Sequence, residues 1–192
     1  MSSGTTLELT PEGYLHMERG AAFRSEYVRG ETFAMAGSNR NHHRIAGNIF
    51  NYLSSVLKNT PCEVFIHDMR VSPTNDNYYY PDVFVACEKI QYLDSMQDTI
   101  LIPVIIFEVL SKSTEDYDRG GKFTDYRKAS SLKDYVLVNQ FGVLVEHHAR
   151  QADNRWLMTE YKSLSDEVKL SALPISIPLS VIYESIKWEN AD

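Results

Sequence analysis

Val104-Ile105-Ile106-Phe107-Glu108-Val109-Leu110 decides the reading of this chain. The stretch is apolar on both faces apart from Glu108, so it reads as a strand in the interior of a sheet with both sides covered. Upstream, Tyr80-Pro81-Asp82-Val83-Phe84-Val85-Ala86 reads as a second strand behind the turn residues Asn75-Asp76-Asn77. Before that, Cys62, Val64 and Ile66 alternate with Glu63, Phe65 and His67 towards Val71, the period of a strand. Ile45, Ile49, Leu53 and Val56, with Phe50 and Leu57, recur at helical spacing from about Asn41 to Lys58, a helix suited to covering one sheet face. Downstream, the caps Ser111, Ser113 and Thr114 open a helix to about Lys128, interrupted by Gly120-Gly121. A further buried strand follows at Tyr135-Val136-Leu137-Val138.

Outside this core, Thr10-Pro11-Glu12 carries the start signals of a short helix through about Met17, and Glu26 to Met35 forms two short stretches around a Gly turn, a hairpin. Val143 to His147 and Trp156 to Tyr161 read as a second hairpin, and Leu179, Ile182, Tyr183 and Ile186 as a closing helix. The expected architecture is α/β: a mixed central sheet between helices, with an extra strand hairpin at each flank. No linker or repeat divides the 192 residues, so one domain over 1–192 is expected: N-terminal helix and hairpin 10–36, core 41–139, C-terminal hairpin and tail 143–192.

Composition narrows the function classes. With 43% hydrophobic and 23% charged residues, a packed core is feasible and disorder is not expected. The longest apolar run is broken by Pro103 and ended by Glu108, far short of the roughly 20 residues of a membrane span. Nothing at the N-terminus resembles a secretory signal, which points to the cytoplasm. Cys62 and Cys87 lack metal-ligand spacing and are expected to be buried thiols in a reducing compartment. The net charge of −7 speaks against nonspecific nucleic-acid binding through overall charge, and leaves room for a local basic cleft.

Glu108 is the residue hardest to explain as packing. An unpaired buried charge costs several kcal/mol, so this acid is paired, protonated, at a strand end facing a cavity, or bound to a metal. Asp82 follows Pro81 near the start of the preceding strand, and two carboxylates at adjacent strand ends suit one hard divalent cation, with the Val109 carbonyl as a third oxygen. On the next helix, Asp118, Lys122 and Tyr126 follow one another at intervals of four and share a face. Lys122 there suits an attacking water or the negative charge of a phosphate; a solvated pair with Asp118 is the plain alternative.

Tyr80-Pro81-Asp82-Val83, Glu108-Val109-Leu110-Ser111 with Ser113-Thr114, and Asp118, Lys122 and Tyr126, joined upstream by Glu26-Tyr27-Val28, Gly30-Glu31, His42 and Ile45, resemble the bacterial Uma2 family, placed in the restriction-endonuclease-like PD-(D/E)xK nuclease superfamily. The resemblance runs from about Leu15 to Val138. It implies a three-layer core and a Mg-dependent phosphodiesterase site, with Mn as a substitute, acting on nucleic acid and in the first instance DNA. One departure stands out: where the superfamily motif has its lysine, two residues after the acid, this chain has Leu110. The resemblance suggests that Lys122 has taken over from the next helix. It further implies Asp82, Glu108 and Lys122 as catalytic residues, Asp82, Glu108 and Val109 as metal ligands, and Glu26 as an auxiliary acid, against an ordinary hairpin acid as the alternative. Asp68 and Tyr126 are expected in supporting or structural positions, and His42 and His43 as capping or packing residues, since a hard cation prefers oxygen. His67 and His147-His148 carry no sharper signal, and Ser111, Ser113 and Thr114 read as caps without a Ser-His-Asp arrangement. The rival reading is a noncatalytic nucleic-acid-binding or protein-interaction module on the same fold. A homodimer is expected, because paired cuts on a duplex need two sites about a two-fold axis, with Trp156, Leu157 and Tyr161 as candidates for the interface.

Overall fold

The computed structural model describes residues 9–35 and 37–188. Helix α1 (Pro11–Arg19) starts where expected: the Thr10 side chain accepts from the Gly13 amide at 3.1 Å and Pro11 fills the first helical position. Strands β1 (Ser25–Val28) and β2 (Glu31–Ala34) form the N-terminal hairpin, turned by Arg29 at φ 52° and Gly30 at φ 90°. Helix α2 (Arg40–Val56) buries Ile45, Ile49 and Leu53 on one side, and Asn39 caps it. Then come β3 (Cys62–Ile66), β4 (Arg70–Val71), β5 (Val83–Cys87), β6 (Thr99–Ile100) and β7 (Ile105–Leu110). The next segment is α3 (Glu115–Tyr117), a single π-helical turn (Asp118–Lys122) and α4 (Phe123–Tyr126). The chain continues through β8 (Asp134–Asn139), β9 (Val145–Arg150), β10 (Trp156–Tyr161), β11 (Glu167–Lys169), β12 (Ser176–Pro178) and α5 (Leu179–Ile182).

Six strands make the central sheet in the order β10-β9-β8-β7-β5-β3, in which β7 and β8 run parallel and all other pairs antiparallel. A parallel pair needs a crossover connection, and the α3–α4 segment provides it. All six residues of β7 are buried, as its apolar run requires. Ile105, Phe107 and Val109 pack with α2 and α5, while Ile106 and Leu110 pack with Phe123 and Tyr126 of α4. The sheet thus sits between two helical layers, each filled by alternate residues of the same strands.

Several boundaries differ from the expectations. The strand foreseen from Cys62 towards Val71 is two: His67 at φ 58° ends the central-sheet strand, and Arg70–Val71 pairs instead with Thr99–Ile100 in a separate two-stranded sheet. The helix after Thr114 is divided by the π turn at Gly120-Gly121. The closing helix spans only Leu179–Ile182, and the β11–β12 hairpin precedes it. The C-terminal β9–β10 hairpin extends the central sheet itself. Cys62 and Cys87 were expected as thiols, but the β3–β5 register sets them directly opposite with Cα atoms 3.9 Å apart, and they are joined as a disulfide. Asp68, expected in a supporting or structural position on the strand before Asp82, lies in the bend that ends β3, with its side chain 77% exposed and 3.8 Å from the Arg24 guanidinium. Among the described residues no helix is long and apolar enough to cross a membrane.

Candidate active site

Glu108 lies past the middle of β7, and the strand alternation turns it to the α4 side, where it is 3% exposed. An acid in that position needs partners. The principal one is Lys122, the last residue of the π turn, whose Nζ lies 3.0 Å from Glu108 Oε1, 2.9 Å from Glu26 Oε1 and 3.7 Å from Asp118 Oδ1. The Tyr126 hydroxyl donates to Glu108 Oε1 at 3.2 Å, and the Tyr80 amide donates to Glu26 Oε1 at 3.2 Å. Four separate elements therefore meet here: β1 supplies Glu26, β7 Glu108, the π turn Asp118 and Lys122, and α4 Tyr126. The π turn is fastened from below by the Tyr135 hydroxyl, which donates to the Asp118 carbonyl at 2.9 Å.

Asp82 reaches the same end of the sheet. Antiparallel pairing of Val83 with Phe107 sets Asp82, one residue earlier, opposite Glu108. The Val109 amide donates to Asp82 Oδ2 at 2.7 Å, and His42 Nε2 on α2 lies 2.8 Å from Asp82 Oδ1. Asp82 is thus held between the α2 layer and the strand backbone. His42 is buried and packed, as expected for a residue at this helix start, and in addition orients the aspartate. No local pattern announces that contact, because 40 residues separate the two.

Burial pushes the Glu108 carboxyl well above the usual carboxylate range, and the charges of Asp118, Asp82 and Glu26 add to the rise while Lys122 opposes it. Burial alone would lower the Lys122 ammonium, yet Glu108 and Glu26 beside it hold it well above its ordinary value, so it stays protonated. The Tyr126 hydroxyl is raised by burial and by Glu108. Around one ammonium stand three carboxylates, an excess of negative charge in a buried place.

Among the described residues no three His, Cys, Asp or Glu side chains stand arranged to hold a metal ion. The carboxylate oxygens of Glu108, Asp82, Glu26 and Asp118 are of the type a hard divalent cation takes, with Lys122 standing among three of them and His42 and the Val109 amide engaging the fourth. Leu110, two residues after Glu108, is buried in the apolar layer under α4, and the cation beside Glu108 comes from the following turn.

The Uma2 family model, described as "Putative restriction endonuclease", matches residues 11–181. Two proteins of Synechocystis, both termed "Uncharacterized protein" (sll1609 and slr1290), are 35% and 34% identical over 91% and 94% of this chain and 99% and 94% of their own lengths. A crystal structure from Anabaena variabilis, titled "a putative nuclease belonging to DUF820", superposes with a TM-score of 0.76 at 15% identity, covering 91% of this chain and 97% of that one. It has the same fold as this chain. With a family match across nearly all the described elements and the acids and lysine gathered at one sheet end, this chain belongs to the Uma2 family.

Proposed function

We propose that this protein is a metal-dependent nuclease that hydrolyses phosphodiester bonds of nucleic acid, DNA in the first instance, at the Glu108–Lys122 cluster. The observation that carries the reading is the buried Lys122 ammonium, 3.0 Å from Glu108 and 2.9 Å from Glu26 at the end of the central strand. Glu108, Asp82 and the Val109 carbonyl are the groups that would hold Mg or Mn, which when bound polarises a phosphoryl oxygen and acidifies a water. Asp82 is oriented for this by His42 and the Val109 amide, and Glu108 by the Tyr126 hydroxyl. Because its carboxylate neighbours keep Lys122 protonated, its role is to neutralise charge developing on the phosphate, not to abstract a proton. Glu26 holds the ammonium in place.

The test is a Mg and Mn titration with plasmid, single-stranded DNA and RNA. The wild type is expected to cleave only with metal, and Glu108→Ala to lose cleavage while keeping its fold. Cleavage undiminished in Glu108→Ala would remove the assignment. A second reading, a noncatalytic module on this fold, is favoured by the Lys122 ammonium already lodged among the acids and by both Asp82 oxygens being engaged. Metal binding without turnover on any of the three substrates would select it.

A further inference from the structure

We infer that the outer face of α2 is the surface on which a nucleic-acid strand lays its phosphate backbone as it approaches the Asp82 end of the site. This rests on the nucleic-acid reading above and names where that partner docks. Arg40, His43, Arg44, Gly47, Asn48 and Asn51 line a concavity of about 270 Å³. Their spacing puts them on one face of α2, opposite the buried Ile45, Ile49 and Leu53. Across its 17 residues α2 has no acid. In a chain of net charge −7, which repels a polyanion overall, such an acid-free, arginine-bearing face is where a phosphate backbone is tolerated.

The side chains of this groove are available. Arg44 has neither an ion pair nor a hydrogen bond among the described residues, and Arg40 meets only the Asn41 side chain at 3.3 Å and the Ser185 carbonyl at 3.4 Å. Asn48 is the exception, its amide donating to the Ile182 and Glu184 carbonyls at 3.1 and 2.9 Å and tying α2 to the C-terminal segment. Gly47 leaves the groove open, since a Cβ there would meet nothing within 4 Å. The amides at the helix start are already taken: Asn39 accepts from those of His42 and His43 through its side chain and its carbonyl. The surface therefore acts through arginine, histidine and amide side chains.

Position ties the groove to the chemistry. His42, on the buried face of the same turn, contacts Asp82 at 2.8 Å, so it links α2 to the site from beneath the groove. The His43 ring packs edge-on to His67 with centroids 5.6 Å apart, and the His67 amide donates to the Asp82 carbonyl at 3.1 Å. A strand lying in the groove thus passes beside His43 and His67, whose backbone meets that of Asp82. Contacts of this kind engage phosphates and not base edges, so they position the strand without selecting its sequence.

The experiment is fluorescence anisotropy of the full chain with labelled duplex and single-stranded DNA in EDTA, so that no cleavage occurs, from about 50 to 200 mM salt. The variants are Arg40→Glu with Arg44→Glu, Gly47→Met, and Lys89→Glu as a control of like charge reversal on an exposed residue beyond the far end of β5. The double arginine variant is expected to bind about tenfold or more weakly, with a plot of log affinity against log salt shallower by about 0.9 for each duplex phosphate that it no longer neutralises. Gly47→Met is expected to weaken binding by filling the groove, and Lys89→Glu to bind as the wild type; thermal melts check that each variant is folded. Wild-type affinity and slope in the double arginine variant overturn the inference, as does absence of measurable wild-type binding to either DNA. Salt-dependent binding that disappears in the arginine variant, together with no cleavage by the wild type, keeps the docking surface and removes the nuclease. Cleavage by the wild type with unchanged binding in the arginine variant does the reverse.

Discussion

Lys122 neutralises only part of the charge around it, and removing it isolates three partners at once. In Lys122→Ala, Glu26, Glu108 and Asp118 lose their shared cation, and stripping one partner from a buried ion pair costs roughly 3–5 kcal/mol, less whatever protonation of Glu108 relieves. The metal-free variant is therefore expected to melt well below the wild type, and Mg to restore part of the loss. If the proposed role holds, turnover falls far more than metal affinity. Equal activity in Lys122→Ala returns this lysine to a structural ion pair. Glu108 sets a pH dependence of known sign. Its folded-state value lies above the ordinary 4.5, so the protonated form is favoured by folding; that contribution is complete below about 4.5 and is lost as pH rises through the raised value. Glu108→Gln is expected to flatten the fall of metal-free stability over this window, and wild-type Mg affinity to climb with pH across it, because only the carboxylate is a ligand. Denaturant melts and calorimetric Mg titrations at several pH values read both; a slope unchanged by Glu108→Gln rules out this residue as its source.

Between β7 and β8, the element that matters is the π turn, which delivers Lys122 against Glu108 of the central strand. Its geometry depends on Gly121: a Cβ there would stand 2.7 Å from Tyr117 Cε2, so the ring could not keep its place. Tyr117 is 39% exposed and has room to swing out, at the expense of its packing beside the turn. Gly121→Ala is therefore expected to displace Tyr117, shift the neighbouring Lys122 and lower activity. In a Tyr117→Ala background the same change is expected to be neutral or stabilising by up to about 1 kcal/mol, the helix propensity of Ala over Gly. Thermal melts and activity of the two single variants and the double one read this coupling, and additive effects would dissociate the glycine from the tyrosine.

At the scale of the whole molecule, the central sheet ends in β10, an edge strand with Leu157 58% and Met158 48% exposed. Trp156 is drawn in instead, under the Arg150 guanidinium at 4.6 Å and against Phe123 at 5.2 Å. Free edges of this kind are templates for pairing with another chain. A dimer built by β10 against its two-fold mate is the expected assembly, with a mass in light scattering twice the 22.0 kDa chain, and Leu157→Arg is expected to shift it to monomer. A 22.0 kDa species for the wild type at micromolar concentration excludes the dimer and with it the simplest route to paired cuts on a duplex.

The sequence by itself determined the buried central strand, the helix ahead of the sheet, both hairpins and the anomaly of Glu108. Each of these rests on local periodicity or on a residue type incompatible with its neighbours, and such signals survive without knowledge of the partner. Position at a neighbouring strand end added Asp82 and helical spacing added Lys122, and resemblance to a family added Glu26 as a companion of that acid. Tertiary structure alone decided which of them meet. Lys122 and Glu26 lie on opposite sides of Glu108 in the chain and close around it only when the N-terminal hairpin and the π turn fold over the sheet end. The same holds for His42 on Asp82, for Cys62 opposite Cys87, and for Asp68, which a one-residue reversal at His67 turns out to solvent. Pairing register and a single left-handed residue set these outcomes; both are settled by how the whole core packs, and neither leaves a mark in a short window of sequence.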